Sequence, residues 1–370
     1  MSRPTVAEID LGALIHNWKI LTQLQDSERI IPVIKANAYG HGAATVARTL
    51  QNVGVQQVAV ALLEEAVEVR AAGFRGAILI LGPFTHTDIP MAQELSFTPV
   101  VGDKQFLLDL VAYRFWGEIH IKWDTGMNRL GFAAPDIPWV AQILSESPIL
   151  RVQAFCTHFL KADDFGLEGG HSEQQIQRFQ SILAQWESQY GKVPSKHLFN
   201  SDSFFLNHET QRLPNDFGAR PGITLYGYPA VETTWSRQMK PVMTLKTKIV
   251  HLVQVSKGQT VSYNADWVAP RDSVVAVLPV GYADGYPRSL SNKGQVFVRG
   301  QTVPLVGIVC MDYLMIEVTD VADVAIGDEV ELWGNHISLS ELARAAQTIT
   351  YELLTGVSER VPRQVIDGTR

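Results

Sequence analysis

The stretch RIIPVIKANAYGHGAATVARTLQNVG, residues 29–54, joins a short apolar run to an amphipathic segment through a loop of small residues. RIIPVIK (29–35) is typical of a buried strand, and ATVARTLQNVG (44–54) carries apolar residues at helical spacing. Pro32 is unusual in a central strand, and the run ends on Lys35, where a charged amine is unexpected. This strand–helix unit is the first of a series, and the number of units indicates the fold.

Apolar runs alternate with amphipathic segments from residue 29 to about residue 227. The predicted strands are RIIPVIK (29–35), QVAVA (57–61), AILIL (77–81), SFTPVV (96–101), EIHIKW (118–123), RVQAFCTHF (151–159), HLFN (197–200) and ITLYG (223–227). Eight such units in about 230 residues are typical of an α/β chain folded as a (β/α)8 TIM-type barrel. An open doubly wound sheet is the alternative, but no predicted strand is followed by GxGxxG.

After about residue 240 the pattern changes to short alternating or apolar runs separated by KG, RG and GD turns. This pattern predicts a mostly-β region, with one helix in SLSELARAAQ near the C-terminus. We therefore expect two domains, a barrel over residues 1–235 and a mostly-β domain over residues 236–370.

Composition excludes several classes of function. The net charge of −7 and the lack of a basic run argue against a nucleic-acid surface and against a polybasic membrane patch. No apolar run is long enough to span a bilayer, and the N-terminus has no signal-peptide pattern. Cys156 and Cys310 each lie in an apolar run without CxxC or zinc spacing. We expect a cytoplasmic protein with reduced thiols and no metal site.

Polar side chains gather where the predicted strands end, which is where active sites of such barrels lie. They are Lys35, Asn37, Tyr39, Lys122, Asp124, Arg129, Thr157, His158, Asp163, His197, Asn200, Ser201 and Arg220. Taken singly, Lys122 is more simply a solvated lysine and His158 a buried core histidine. Together they predict a cationic, partly desolvated pocket, which suits an anionic ligand and lowers lysine pKa values. Glycines in GARPG would let backbone N–H groups approach a phosphate.

Seven ordered motifs go further than composition and spacing. They are VIKANAYGHG, IKWDTGMNRLGF, THF, RPGITLYG, VSYNADW, GYADGYPR and VCMD. In this order they resemble the alanine racemase family over nearly the whole chain. The resemblance implies a pyridoxal-phosphate enzyme with a (β/α)8 barrel, a C-terminal β domain and a head-to-tail homodimer with shared active sites. It also implies an isomerase that supplies D-alanine for peptidoglycan.

The resemblance also implies roles for individual residues. Lys35 would hold pyridoxal phosphate as an internal aldimine, so that no free charge need be buried there. Tyr263 would come from the partner subunit and act on the L-side proton, with Lys35 acting on the D-side proton. Further cofactor contacts would be Tyr39, His158, Ser201, Arg220, Gly222 and Ile223, and substrate contacts would be Arg129 and Met311. Supporting residues would be Lys122, which is carbamylated in many members, and His197, Tyr282, Asp312, Asp163 and Arg288.

Two positions depart from the pattern. Ile308 stands where many members have an arginine, and Glu359 stands where some have a tyrosine. Both belong to the access corridor, so a racemase with another or broader substrate range, such as serine or lysine, stays an alternative. A barrel-plus-β decarboxylase is a further alternative, which Tyr263 of VSYNADW and Arg129 of GMNR disfavour. A non-catalytic pyridoxal-phosphate-binding protein is another, which the β domain with Tyr263 and Met311 disfavours.

Overall fold

A computed structural model describes residues 3–366. The described chain begins with strand β1 (Val6–Asp10) and helix α1 (Leu11–Leu24). Asp10 ends the strand, and its carboxylate accepts the N–H of Ala13 at 2.8 Å, which caps the first turn of the helix. The chain then enters the barrel.

Parallel strands form the barrel wall, and each pairs with the next along the chain. They are β2 (Gln57–Val60), β3 (Ala77–Ile80), β4 (Thr98–Val101), β5 (Gly117–Lys122), β6 (Leu150–Cys156), β7 (Ser195–Phe199) and β8 (Phe217–Ala219). The helical segments of this region are α2 (Lys35–Tyr39), α3 (Ala43–Asn52), α4 (Leu63–Ala71), α5 (Ile89–Glu94), α6 (Lys104–Ala112), α7 (Ile137–Glu146), α8 (His171–Tyr190) and α9 (Ser201–Thr210). The predicted α/β barrel class is confirmed.

The first predicted strand closes the barrel without forming a regular ladder. Ile30 bridges to Ala219 of β8, and Val33 bridges to Ala59 of β2. Pro32 lies between them and has no N–H to give, but its carbonyl accepts the N–H of Ala59 at 2.8 Å. The segment therefore occupies the place of the eighth strand through isolated bridges.

The predicted last strand was wrong. ITLYG (223–227) contains a buried 3-10 turn over Ile223–Tyr226, and the strand in this unit is β8, which ends at Ala219. The N–H of Leu225 bonds to the carbonyl of Gly222 at 2.9 Å, so the backbone turns instead of pairing. A short apolar run has no periodicity that separates a buried strand from a buried turn.

The rest of the chain is mostly β, as predicted. Its strands are β9 (Met243–Lys248), β10 (His251–Val255), β11 (Thr260–Val261), β12 (Trp267–Val268), β13 (Ser273–Leu278), β14 (Gln295–Val298), β15 (Gln301–Pro304), β16 (Leu314–Glu317), β17 (Glu329–Trp333) and β18 (Arg363–Ile366), with helices α10 (Leu339–Ala346) and α11 (Thr350–Gly356). One sheet has the order β15-β14-β17-β9-β1-β18. The N-terminal strand β1 therefore lies between β9 and β18, which ties the start of the chain to its end.

Helix α2 is a single left-handed turn. Ala36, Asn37, Ala38 and Tyr39 have φ values between 51° and 53°, so the backbone after Lys35 runs through the left-handed region. Such residues cost free energy and persist only where their surroundings hold them. The Asn37 side-chain oxygen accepts the N–H of Ala43 at 2.7 Å, which joins this turn to the start of α3.

No helix among residues 3–366 is long and apolar enough to cross a membrane.

An aromatic cluster fills the space between the barrel wall and its outer helices. Trp123 is fully buried, and its ring centroid lies 5.4 Å from that of Phe155 and 6.4 Å from that of Trp186. Offset and edge contacts of this kind add to the free energy of burial.

We expect Trp123→Ala to lower the free energy of unfolding by about 3–5 kcal/mol, because it leaves a large cavity beside the wall. Trp116→Ala is the matched control, since Trp116 is 60% exposed, and it should change stability by about 0.5 kcal/mol or less. Urea unfolding followed by circular dichroism measures both. Equal losses in the two variants would contradict the assignment of this core.

Candidate active site

A cavity of about 400 Å³ opens at the carboxyl ends of the barrel strands. Its wall includes Val33, Lys35, Tyr39, Leu81, Lys122, Arg129, Cys156, Thr157, His158, Asn200, Ser201, Arg220, Gly222 and Tyr351. The predicted residues Lys35, Tyr39, Lys122, Arg129, His158, Ser201, Arg220 and Gly222 are thus brought together. This volume is in the range of small-molecule sites.

Lys35 stands at the end of the closing segment, where its side chain is half-buried in the cavity wall. Burial lowers the pKa of its amine, and the positive charge of Arg129 lowers it further, while Glu65 acts in the opposite direction. Desolvation penalises the ammonium form because it removes the water that stabilises the charge. The amine is therefore more readily available as a nucleophile than that of an exposed lysine.

Glu65 holds the backbone beside Lys35. Its Oε1 accepts the N–H of Ala36 at 2.5 Å, and its Oε2 accepts the N–H groups of Ala61 at 2.8 Å and Leu62 at 3.1 Å. One carboxylate thus joins the left-handed turn to the end of β2 and the start of α4. The sequence analysis missed Glu65, although an acid at the third position of a predicted helix is typical of capping.

Arg220 is buried beneath the cavity. Its Nη1 donates to the His197 carbonyl at 2.9 Å and contacts His197 Nδ1. Its Nη2 donates to the Thr157 carbonyl at 2.5 Å and lies 3.3 Å from His158 Nδ1. A guanidinium can only donate, so His197 Nδ1 is an acceptor and carries no proton.

Both histidines are neutral. Burial lowers the pKa of His158 and of His197 well below the ordinary value, and the charge of Arg220 adds to the effect in each. Of these three side chains, only Arg220 therefore carries a positive charge.

A cradle for an anion lies on the next part of the wall, where α9 begins. The hydroxyl oxygen of Ser201 accepts the N–H of Gly222 at 3.0 Å and the hydroxyl of Thr224 at 3.1 Å. A Cβ on Gly222 would lie 2.3 Å from the hydroxyl of Tyr39, so any larger residue there would displace the Tyr39 ring. Ile223 is fully buried at the start of the adjoining turn. Backbone N–H groups at a helix start and a glycine turn suit a phosphate.

Lys122 and Arg129 also line the mouth of the cavity, joined by a tight loop. Asp124 fixes this loop, since its carboxylate accepts the N–H of Gly126 at 2.8 Å and that of Arg129 at 3.2 Å. Burial lowers the pKa of Lys122, and Arg220 and Arg129 lower it further while Cys156 opposes them. The loop thus brings a second desolvated amine close to a guanidinium.

Several predicted residues lie outside this cavity. Tyr263 is 67% exposed and Met311 is 52% exposed on the β-rich part of the chain, where Tyr282 is exposed as well. The carboxylate of Asp312 accepts a hydrogen bond from Arg360 at 2.6 Å. Asp163 and Arg288 are also exposed and do not line the cavity.

The two unusual positions have different surroundings. Ile308 is 8% exposed, and its carbonyl accepts the hydroxyl of Ser262, the residue before Tyr263, at 2.7 Å. Tyr351 rather than a residue at position 359 supplies a tyrosine to the cavity wall, and its ring lies 5.8 Å from that of Tyr39. The sequence analysis missed Tyr351, because nothing in TITYELL distinguishes it from an ordinary helical tyrosine.

Comparison with known proteins places the chain in a family. The alanine racemase N-terminal domain matches residues 9–230, and the alanine racemase C-terminal domain matches residues 242–365. The chain is 39% identical over 374 residues to the alanine racemase of Halothermothrix orenii, covering 98% of this chain and 97% of that protein. It is also 39% identical over 380 residues to that of Desulforamulus reducens, covering 99% of this chain and all of the relative.

Solved structures agree with this assignment. The biosynthetic alanine racemase from Pseudomonas aeruginosa superimposes with a TM-score of 0.87 at 34% identity, covering 98% of this chain and 99% of that chain. The alanine racemase from Bacillus anthracis with bound L-Ala-P gives a TM-score of 0.88 at 31% identity, covering 100% of this chain and 97% of that chain. Because both parts of the family match in order over nearly the whole length, this chain belongs to the alanine racemase family.

Proposed function

We propose that this protein interconverts L-alanine and D-alanine with pyridoxal 5'-phosphate bound in the cavity. The observation that carries the proposal is the desolvated amine of Lys35 in a wall whose other charged groups, among them Arg129 and Arg220, are cationic. Such a wall suits a phosphorylated cofactor and the carboxylate of an amino acid. The names of the relatives, and the L-Ala-P bound to the Bacillus anthracis enzyme, point to alanine as the substrate.

The side chains present fit this cofactor. Lys35 would hold the carbonyl carbon of the cofactor. Its phosphate would be held by Ser201, by Tyr39 and by the backbone at Gly222 and Ile223. The close approach of the Tyr39 hydroxyl to the Gly222 backbone, together with the hydrogen bond between Gly222 and Ser201, groups these contacts in one corner of the cavity and supports this placement of the phosphate. When bound, the conjugated ring of the cofactor stabilises the negative charge left on the substrate Cα after its proton is removed.

Two residues would flank the ring of the cofactor. His158 would pack beside it, and Arg220 would donate a hydrogen bond to its pyridine nitrogen. Because a guanidinium stays protonated and has no acceptor, that nitrogen would remain unprotonated. The bonds from Arg220 to His197 and to the Thr157 carbonyl would keep the guanidinium in place.

Racemisation needs a proton donor on one face of the substrate Cα and an acceptor on the other. We propose that Lys35 serves the D-side proton and that Tyr263 of a second copy serves the L-side proton. Tyr263 is 67% exposed and does not line the cavity of its own chain, which supports a site completed by another subunit. Met311 would contact the substrate carboxylate from the same second copy, opposite Arg129.

The remaining predicted residues have supporting roles in this proposal. Lys122 would brace Arg129, and Tyr282 and Asp312 would line the shared site. Asp163 and Arg288 would belong to the access corridor. The barrel (1–235) would carry the cofactor, and the β domain (236–370) would complete the site of the partner in a homodimer.

The cellular role follows from the same proposal. The D-alanine would serve peptidoglycan synthesis in the cytoplasm. Both cysteines are free thiols, which suits a reducing compartment.

Incubation with pyridoxal phosphate and L-alanine, L-serine or L-lysine tests the reaction directly. We expect D-alanine to form fastest in chiral chromatography, and no product from Lys35→Ala. Faster formation of D-serine or D-lysine would support a broader racemase. No D-amino acid from any substrate would contradict the proposal.

Mixing two inactive variants tests the shared site. Lys35→Ala and Tyr263→Phe should each lose at least about 100-fold in kcat, since each removes one proton-transfer group. In a head-to-tail homodimer, co-expression gives hybrids with one intact site, so activity should recover to about a quarter of the wild-type value. Differently tagged copies allow the hybrid to be purified, and an inactive purified hybrid would rule out sharing in this form.

The neighbours of Lys35 predict how its reactivity depends on pH. In the cofactor-free protein, the midpoint for trapping Lys35 with pyridoxal and borohydride should lie below the ordinary lysine pKa of about 10.4. Arg129→Gln should raise this midpoint, because it removes a positive charge, and Glu65→Gln should lower it, because it removes a negative one. Peptide mass spectrometry measures the labelling, with N-acetyl-lysine as reference. Shifts of opposite sign would contradict this account of the amine.

A further inference from the structure

Two buried histidines continue inward from Arg220 beneath the cavity. His120 Nδ1 on β5 lies 2.8 Å from His197 Nε2 on β7. On its other side, His120 Nε2 lies 2.7 Å from Oε1 of Gln153 on β6. With the contact between Arg220 and His197 Nδ1, four side chains form one continuous chain of hydrogen bonds, three of them from within β5, β6 and β7 and one from the residue after β8.

Arg220, at one end of this chain of hydrogen bonds, determines which nitrogen of each histidine carries the proton. Arg220 can only donate, so His197 Nδ1 accepts and the proton of the neutral ring is on Nε2. That proton points at His120 Nδ1, which must accept, so the His120 proton is on Nε2. This last N–H needs an acceptor, and the amide oxygen of Gln153 is in place. The opposite order would set two N–H groups against each other at Arg220.

Both rings are in the neutral form that this order requires. Burial lowers the pKa of His120 to about 4, with Arg220 adding to the effect, and it lowers that of His197 well below the ordinary value. Each ring is 2% exposed. A neutral imidazole has one donor and one acceptor, so a single arrangement satisfies all four groups.

Strand β6 has a β-bulge at Gln153. Ile119 pairs with Val152 and the next residue, His120, pairs with Ala154, so Gln153 is the extra residue of a bulge. Bulges redirect a side chain that regular pairing would point elsewhere. The bulge is an observation independent of the hydrogen-bond distances, and it supports the contact between Gln153 and His120.

We propose that Gln153 is a positioning residue for the reaction: its amide oxygen ends the chain through His120 and His197 and thereby holds Arg220 in one orientation at the cavity. The consequence for catalysis rests on the proposed function, in which Arg220 faces the cofactor ring. Gln153 does not line the cavity and acts through the two imidazoles.

Nitrogen NMR of protein labelled with ring-15N histidine tests the order without substrate, because protonated and unprotonated ring nitrogens are well separated. Spectra of His120→Gln and His197→Asn assign the signals. In the wild-type protein, both Nδ1 atoms should be unprotonated and both Nε2 atoms protonated. In Gln153→Leu, the wild-type order leaves the His120 Nε2–H without its acceptor, so the reversed order, in which Arg220 turns away from His197 Nδ1, becomes comparable in free energy. Both rings should then show averaged signals of two tautomers. Gln153→Glu keeps an acceptor and should retain the wild-type pattern.

Kinetics of the holoenzyme link the order to the reaction. Gln153→Leu should lower kcat about tenfold, with KM changed about twofold or less, because a buried N–H has lost its acceptor and Arg220 is held less firmly. Gln57→Leu is the control, since Gln57 is also a half-buried strand glutamine, and within residues 3–366 its side chain bonds only to the Glu28 carbonyl. It should leave both kcat and the histidine signals unchanged.

Several outcomes would overturn the proposal. The first is a proton on His197 Nδ1 in the wild-type protein. The second is a Gln153→Leu variant in which either the His197 signal or kcat is unchanged. The third is a Gln153→Glu variant that behaves as Gln153→Leu does. The absence of racemase activity in the wild-type protein would instead contradict the proposed function, and would leave the proton order to be decided by NMR alone.

Discussion

Closure of the parallel sheet is the constraint on which the cavity depends. The segment before Lys35 must contact β8 on one side and β2 on the other, and it does so through bridges at Ile30 and Val33. The carboxyl ends of parallel strands all lie at one end of a barrel. Closure therefore brings Lys35 beside side chains from strands that are distant in sequence, such as Arg220 after β8. A regular ladder is not required, because the short segment is held on both edges.

The second constraint is the burial of a charged side chain, Arg220, away from water. Arg220 remains charged because carbonyl groups and neutral imidazoles accept its hydrogen bonds. Its charge in turn helps to keep His158 and His197 neutral and Lys122 less basic. Burial is the largest cause of each of these pKa shifts, and the buried guanidinium acts in the same direction, which is how an apolar barrel interior can hold several ionisable side chains.

The two parts of the chain are linked by backbone contacts rather than by a simple tether. Strand β1 pairs with β9 and β18, and Arg363 of β18 donates to the Gly40 carbonyl at 2.9 Å, just after the left-handed turn. Glu65 holds the other end of that turn. The backbone beside Lys35 is therefore supported both from the barrel and from the β-rich sheet, which offsets the cost of its left-handed residues.

The sequence by itself determined the barrel class, the mostly-β second part and most of the residues in the cavity wall, since strand–helix alternation and ordered motifs are local properties of the chain. Only the tertiary structure decided that ITLYG turns rather than pairs, that Tyr351 joins the wall, and that Glu65 and Gln153 support Lys35 and Arg220. Each of these depends on contacts between residues distant in sequence or on a bulge in strand pairing. Such contacts have no periodicity, because they arise when the sheet closes and brings separate strands to one place.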